Sequence, residues 1–170
     1  MGVHQLNHAV LYVRDVERTA AFYRDVLDFR TAHEVAIPGA AFLVAPDSTN
    51  DHDLGLFEVG DAAAPSAAGR GSVGLYHLAW EVQTLADLDD IARRLQAAEA
   101  LVGASDHGTS KSLYGRDPDG IEFEVVWLVP ADRIDDEVLA ARSRIGRLDL
   151  TAEVARYGAE TPGGTGISRP

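Results

Sequence analysis

The chain carries six histidines (His4, His8, His33, His52, His77 and His107) and no cysteine. Two of the histidines occupy one slot of an internal repeat. Residues 6–13 read LNHAVLYV and residues 75–82 read LYHLAWEV, and both fit L-x-H-x-x-x-x-V. Both segments are rich in β-branched and aromatic residues and predict strands. Strand side chains alternate faces, so His8 shares a face with Val10 and Tyr12, and His77 with Ala79 and Glu81. If a pseudo-twofold axis relates the repeats, the two imidazoles face each other, and with a carboxylate they make a site for a divalent metal. Glu124 is the candidate carboxylate, four residues beyond Gly120. Glu122 lies on the same face by alternation, and solvation of the strand end favours it, so the residues alone leave the choice open. Without the histidine repeat, both would read as solvent-facing glutamates on a half-buried strand. His4 and His33 have no counterpart in the pattern and are assigned no role.

The elements that must position these residues follow from periodicity and punctuation. Asp15 can cap a helix over 16–27, with Val16, Ala20, Tyr23 and Leu27 at helical spacing. Thr84 with Asp87 resembles a capping box opening a helix through about Glu99. Short apolar runs follow each helix, over 30–37, 40–46 and 53–59 in the first half and over 100–105, 111–116 and 121–129 in the second. Pro38-Gly39 and Asp117-Pro118-Asp119-Gly120 are turn signals. Each half is therefore β-α-β-β-β, an α+β organisation of two modules over 4–60 and 73–130. Residues 60–72, GDAAAPSAAGRGS, read as a surface linker. Beyond Pro130, residues 131–147 (with Ile134, Val138, Leu139 and Ile145) read as an amphipathic helix, and 149–157 as a second. These C-terminal helices are expected on the outer face of a sheet or at a subunit contact, and residues 158–170 as a mobile tail. Phe22, Tyr23 and Phe29 read as core, whereas Phe42, Phe57 and Trp80 suit either a pocket wall or packing.

Composition narrows the function classes. The 170 residues are 46% hydrophobic and 25% charged, a globular composition for one domain or two small modules. Without cysteine there is no disulfide framework, thiolate metal site, iron–sulfur cluster or cysteine nucleophile. A net charge of −12 with a single lysine, Lys111, argues against a nucleic-acid partner. There is no apolar run of about 20 residues to span a membrane, no signal-peptide pattern, and Leu6 stands where N-myristoylation needs Ser or Thr. The expectation is a soluble cytoplasmic protein.

Over residues 4–130 the sequence resembles the vicinal oxygen chelate superfamily of glyoxalases, epimerases, antibiotic-resistance proteins and extradiol dioxygenases. NHAVLYVRDVERTAAFYRDVLDF is similar to its opening module and DPDGIEFE to its closing metal-binding strand. That likeness implies a curved mixed sheet around a metal held by His8, His77 and Glu124, and selects Glu124 over Glu122. The pattern His107-x5-Leu113-Tyr114-x2-Asp117-Pro118-x-Gly120-x3-Glu124 resembles the long signature of type I extradiol ring-cleavage dioxygenases. It departs at Ser105, where that family usually has Gly, Asn, Thr or an aliphatic residue. His52-Asp53-Leu54-Gly55-Leu56 resembles the segment carrying that family's acid–base histidine. Isomerases of the superfamily place a fourth ligand, a Glu, where this chain has Gly55. Glu58 lies three residues on, on the opposite face by alternation, and is a poor substitute.

Two histidines and one carboxylate on one face of an octahedral ion leave three positions open, the arrangement of non-haem Fe(II) oxygenases. The resemblance thus implies Fe(II), a catechol bound through both oxygens, and O2. His52 would take and later return a proton, as the resembling segment implies. His107 and Tyr114 would hydrogen-bond the bound oxygens. The rivals are a glyoxalase-like lyase or epimerase using Mn, Ni, Co or Zn, and a resistance protein that sequesters a small molecule without turnover. Many dioxygenases of this kind have four modules, so this would be a one-domain version. A homo-oligomer, a dimer or larger, is expected, with the site formed within one chain or from modules of two.

Overall fold

The computed structural model describes residues 2–32, 37–69 and 71–168. It divides into two units: residues 1–66 with the turn 117–120, and residues 67–116 with 121–170. His33 and most of the second half of the expected 30–37 strand lie outside the described residues.

In the first unit, β1 (Ala9–Val13) is followed by α1 (Val16–Leu27), β2 (Arg30–Thr31), β3 (Ala40–Val44) and β4 (Leu54–Glu58). The sheet order is β1-β4-β3-β2, with β1 parallel to β4 and the other pairs antiparallel. Asp15 caps α1 by accepting from Arg18 N, and Asp28 ends it in the left-handed region at φ 57°. The apolar stripe foreseen on α1 is buried: Val16, Ala20, Tyr23 and Leu27 all face inward with Leu11, Val13, Leu43, Leu54 and Leu56. Phe29 is likewise core, as expected. The other face of this sheet carries Val10, Gly55 and Phe42 in register.

The Asp117–Gly120 turn belongs to this unit. Arg14 Nη1 lies 2.8 Å from Asp119 Oδ1, and Arg14 N donates to Asp119 Oδ2 at 3.1 Å. Gly120 adopts φ 81°, a conformation only glycine takes without strain, which closes the turn onto Asp117 O.

The second unit repeats the plan with β5 (Leu78–Glu81), α2 (Leu85–Ala97), β6 (Leu101–Asp106), β7 (Ser110–Arg116) and β8 (Glu122–Leu128). Its sheet order is β5-β8-β7-β6, extended by a fifth strand, β9 (Gly146–Arg147), on the edge of β6. The capping box is present: Thr84 accepts from Asp87 N, and Asp87 accepts from Thr84 N. Leu85, Leu88, Ile91 and Leu95 of α2 cover Leu113, Phe123, Val125 and Trp127. Each unit is thus the β-α-β-β-β module that the sequence predicts, and the fold class is α+β.

The region after Pro130 differs from expectation. In place of one helix over 131–147 there is a single turn of 3₁₀ helix (Ala131–Arg133), then α3 (Asp136–Ala141) and β9. Asp135 restarts the helix by capping Val138 N, and Gly146–Arg147 leave it to pair with the open edge of β6. Of the expected apolar stripe only Val138 is buried, since the edge hydrogen bonds satisfy backbone groups that a continued helix would leave to water. α4 (Leu150–Tyr157) forms as foreseen and lies against α2. Residues 158–168, expected as a mobile tail, instead bind their own unit. Gly163 N donates to Gln83 O, Thr165 N to Glu81 Oε2 and Ser168 Oγ to Leu128 O. A Gly-rich stretch can make these bonds because its backbone approaches a partner without Cβ interference.

Candidate functional site

His77 stands one residue before β5, and its Nε2 lies 3.2 Å from Glu124 Oε2 on β8. The parallel pairing places Ala79 opposite Glu124, so His77 meets that carboxylate diagonally on one sheet face. Register gives the two glutamates different neighbours. Tyr114 pairs with Glu124, and its hydroxyl donates to Glu124 Oε1 at 3.4 Å, whereas Arg116 pairs with Glu122 and neutralises it at 3.3 Å. Exposure does not separate them as end-of-strand solvation suggested: the side chains are 17% and 15% exposed. Glu124 is the one held against an imidazole.

The Tyr114 hydroxyl is also 3.1 Å from His107 Nε2. With the Nε2–H tautomer, His107 donates to Tyr114, which donates to Glu124, giving a polar chain His107–Tyr114–Glu124–His77. Burial pushes the Tyr114 phenol above its ordinary pKa, and the Glu124 charge pushes it further. Tyr114 therefore stays a proton donor at neutral pH. The His77 ring is flanked by Tyr76 and Tyr114, with centroids at 4.5 and 5.8 Å, and its buried Nδ1 has no hydrogen-bond partner among the described residues. Beside this chain lies a groove of about 300 Å³ lined by His107, Tyr114, Tyr76, Val102, Arg116 and Ile145, among others.

In the first unit, His8 stands one residue before β1, and its ring centroid is 4.6 Å from that of His52. His52 Nδ1 is 3.0 Å from Asp51 Oδ2, and its ring meets Phe42 edge-on at 5.0 Å. The loop carrying His52 is held by buried Asp53, whose carboxylate accepts from Ala45 N, Ser48 Oγ and Asn50 Nδ2. Phe42 also packs on Phe57 at 6.0 Å, so both belong to the face that bears the histidines. Gly55 lies on that face between Val10 and Phe42. An added Cβ there would meet Val10 at 3.4 Å, an ordinary contact, so crowding does not force the glycine. Glu58 is committed elsewhere, accepting from Val16 N at the start of α1.

Imidazole nitrogen and carboxylate oxygen are suitable donors for a borderline divalent cation. Two ligand atoms about 2.1 Å from one ion at right angles sit about 3 Å apart, close to the His77–Glu124 spacing. Among the described residues no three His, Cys, Asp or Glu side chains gather as a metal-holding group. Each unit offers a pair: His8 with His52, and His77 with Glu124. Lys111, which the sequence marks only as the single lysine, forms an ion cluster with Asp106 and Glu153 under the His107 turn. A lysine alternating with Leu113 and Gly115 on a core-facing strand row was the available signal.

The sequence model of the Glyoxalase/Bleomycin resistance protein/Dioxygenase superfamily matches residues 5–125. A relative from Rhodococcus globerulus, biphenyl-2,3-diol 1,2-dioxygenase 3, is 33% identical over 123 residues, 71% of this chain and 62% of the relative. The chain thus spans less than two thirds of that protein's length. Among solved structures, a glyoxylase/bleomycin resistance protein/dioxygenase domain from Frankia sp. EAN1pec superposes with a TM-score of 0.61 at 25% identity, covering 74% of this chain and 92% of that one. A lactoylglutathione lyase from Agrobacterium tumefaciens gives a TM-score of 0.52 at 28% identity, over 74% and 95% of the chains. The fosfomycin resistance protein FosX from Listeria monocytogenes shares the fold, with a TM-score of 0.54 at 20% identity, over 74% and 93%. Among the described residues no helix is long and apolar enough to cross a membrane. The repeated βαβββ units, the histidine just ahead of the first strand of each and the match over most of the sequence together make this chain a member of the glyoxalase/bleomycin resistance/dioxygenase superfamily, the vicinal oxygen chelate proteins.

Proposed function

We propose that the protein is an Fe(II)-dependent extradiol dioxygenase that opens the ring of a catechol-type diol with O2, acting in the cytoplasm as a homo-oligomer, a dimer or larger. His8, His77 and Glu124 are the proposed ligands, with His52, His107 and Tyr114 as the catalytic groups. The observation that carries the reading is the polar chain that runs by hydrogen bonds from His107 through Tyr114 to Glu124, which lies 3.2 Å from His77 Nε2. It sets a neutral proton donor directly beside a carboxylate–imidazole pair, as a diol whose oxygens must be oriented requires. Fe(II) bound there would supply Lewis acidity toward both diol oxygens and a position for O2.

The chain's own groups account for the remaining needs. Tyr114 and His107 orient the oxygens by hydrogen bonds, and the phenol keeps its proton because burial and Glu124 hold it there. His52, steadied by Asp51 and by the Phe42 ring, takes one diol proton and later returns it. Gly55 offers no side chain as a fourth ligand, so an ion held by three protein groups would have positions open for two exogenous molecules. The similarity to a relative named biphenyl-2,3-diol 1,2-dioxygenase supports the same reaction class. Exposed Val10 and Tyr12 on β1 support self-association, which light scattering measures.

The test is oxygen uptake by protein reconstituted anaerobically with Fe(II), challenged with a panel of alkyl-substituted and bicyclic catechols. Uptake with a new near-visible absorbance from a ring-cleaved semialdehyde is the expected result. No uptake with any catechol, together with tightly bound Ni, Zn or Mn, refutes the reading and points to a lyase or epimerase. Binding of a small molecule without metal or turnover points to sequestration.

A further inference from the structure

Lys111 is the only lysine of the chain and is 1% exposed. Its Nζ lies 2.6 Å from Asp106 Oδ1 and 3.0 Å from Glu153 Oε2, over the Tyr157 ring at 5.9 Å. A buried ammonium must keep its acceptors close, because nothing else replaces its hydration. Asp106 therefore has little freedom, and Asp106 sets the turn that follows it. The same Oδ1 accepts from Gly108 N at 2.8 Å, and His107 N donates across the turn to Ser110 O at 2.9 Å.

The C-terminal extension grips that turn in three further ways. β9 pairs Gly146 with Asp106 and Arg147 with Ser105. α3 sits directly on Gly108, where an added Cβ would come within 2.5 Å of Val138 O. α4 supplies Glu153, the second carboxylate in ion-pair distance of Lys111. On the other face of the sheet the same turn carries His107 to the Tyr114 hydroxyl, and Ile145, 78% exposed, stands beside both in the groove. A module of the repeated plan ends at β8, and among the described residues these three supports of the turn all come from residues 131–157.

We propose that this extension is a working part of the site: Glu153, Lys111 and Asp106 are positioning residues that hold the His107 ring against Tyr114, and β9 sets Ile145 as a wall of the groove. The proposal rests on His107 and Tyr114 touching substrate, as the dioxygenase reading has them. Glu153 acts at a distance, through the ammonium, the Asp106 carboxylate and the turn.

The test uses the full chain with Glu153→Ala, Glu153→Gln and Glu153→Asp. On metal-free protein, NMR follows the nuclear Overhauser contact between the His107 and Tyr114 rings, assigned by its loss in His107→Gln and Tyr114→Leu. On iron-loaded protein, oxygen uptake gives kcat and KM, with bound iron measured alongside. In Glu153→Ala the ring contact weakens and kcat falls by about tenfold, the scale of a lost supporting partner, while iron content holds; Glu153→Gln, which keeps an acceptor for Lys111, restores most of both. Should Glu153→Ala not fold, Glu153→Asp, with its carboxylate drawn back by one methylene, shows the same direction. An unchanged ring contact overturns the proposal, whether or not kcat falls. If wild-type protein turns over no catechol, the dioxygenase reading fails, and the ring contact alone decides whether the extension positions His107.

Discussion

Replacing Lys111 by Met keeps the apolar stem in place and removes only the charge. It leaves Asp106 and Glu153 facing each other without a cation, with side chains 26% and 12% exposed. Breaking a buried pair by removing one partner costs about 3–5 kcal/mol, because the remaining charge is desolvated and uncompensated. Asp106 can turn partly to water and Glu153 much less, so the lower end applies, about 3 kcal/mol, or about a hundredfold in the folding equilibrium. With a urea slope of about 2 kcal/mol/M, the unfolding midpoint falls by about 1.5 M. Tryptophan fluorescence is the appropriate signal, since Trp80 and Trp127, the only two tryptophans, both lie in the unit that contains Lys111. The double variant Lys111→Met with Glu153→Leu regains part of the loss, because it deletes the more deeply buried orphan carboxylate. A midpoint shift below about 0.5 M for Lys111→Met refutes the reasoning. It would mean that the ammonium's own desolvation cancels its attraction to both acids.

Three further outcomes follow from the geometry. Glu124→Ala should lose bound iron and oxygen uptake together, whereas Glu122→Ala, which removes a partner of Arg116 at the groove wall, should keep its iron; equal effects in metal analysis would refute this difference. Asp119→Ala removes the acceptor of Arg14 Nη1 and of Arg14 N from a carboxylate 8% exposed, and should cost about 2–3 kcal/mol. Hydrogen exchange over residues 14–20 reads this loss, and unaltered protection there would count against it. Burial raises the phenols of Tyr23, Tyr114 and Tyr157, with Asp117 adding to the first and Glu124 to the second. A raised folded-state pKa means stability is intact below the ordinary tyrosine value of about 10 and is lost as pH rises from there through the folded-state values. Urea midpoints from about pH 9 to 11 should therefore fall, and less steeply in Tyr23→Phe; a flat profile in the wild type excludes the effect.

The residues by themselves determined the two βαβββ modules, because strand alternation, helical spacing and caps such as Asp15 and Thr84 with Asp87 are local and periodic. They also determined which donors the chain has to offer: no thiolate, a histidine in each repeat, and glutamates at the last strand of the second module. Periodicity placed Glu122 and Glu124 on one face and could go no further, since residues two apart are equivalent to it. Cross-strand register made the distinction, setting Glu124 beside Tyr114 and Glu122 beside Arg116. The break of residues 131–147 into a 3₁₀ turn, a short helix and an edge strand was likewise decided by tertiary structure. Backbone groups on the open edge of β6 outcompete a helix of modest amphipathicity, and no local pattern records that edge. The same holds for Lys111, whose core-facing position is plain in the sequence. Its second carboxylate arrives from Glu153, 42 residues away, because a buried cation is tolerated only beside whichever anion the fold can bring to it.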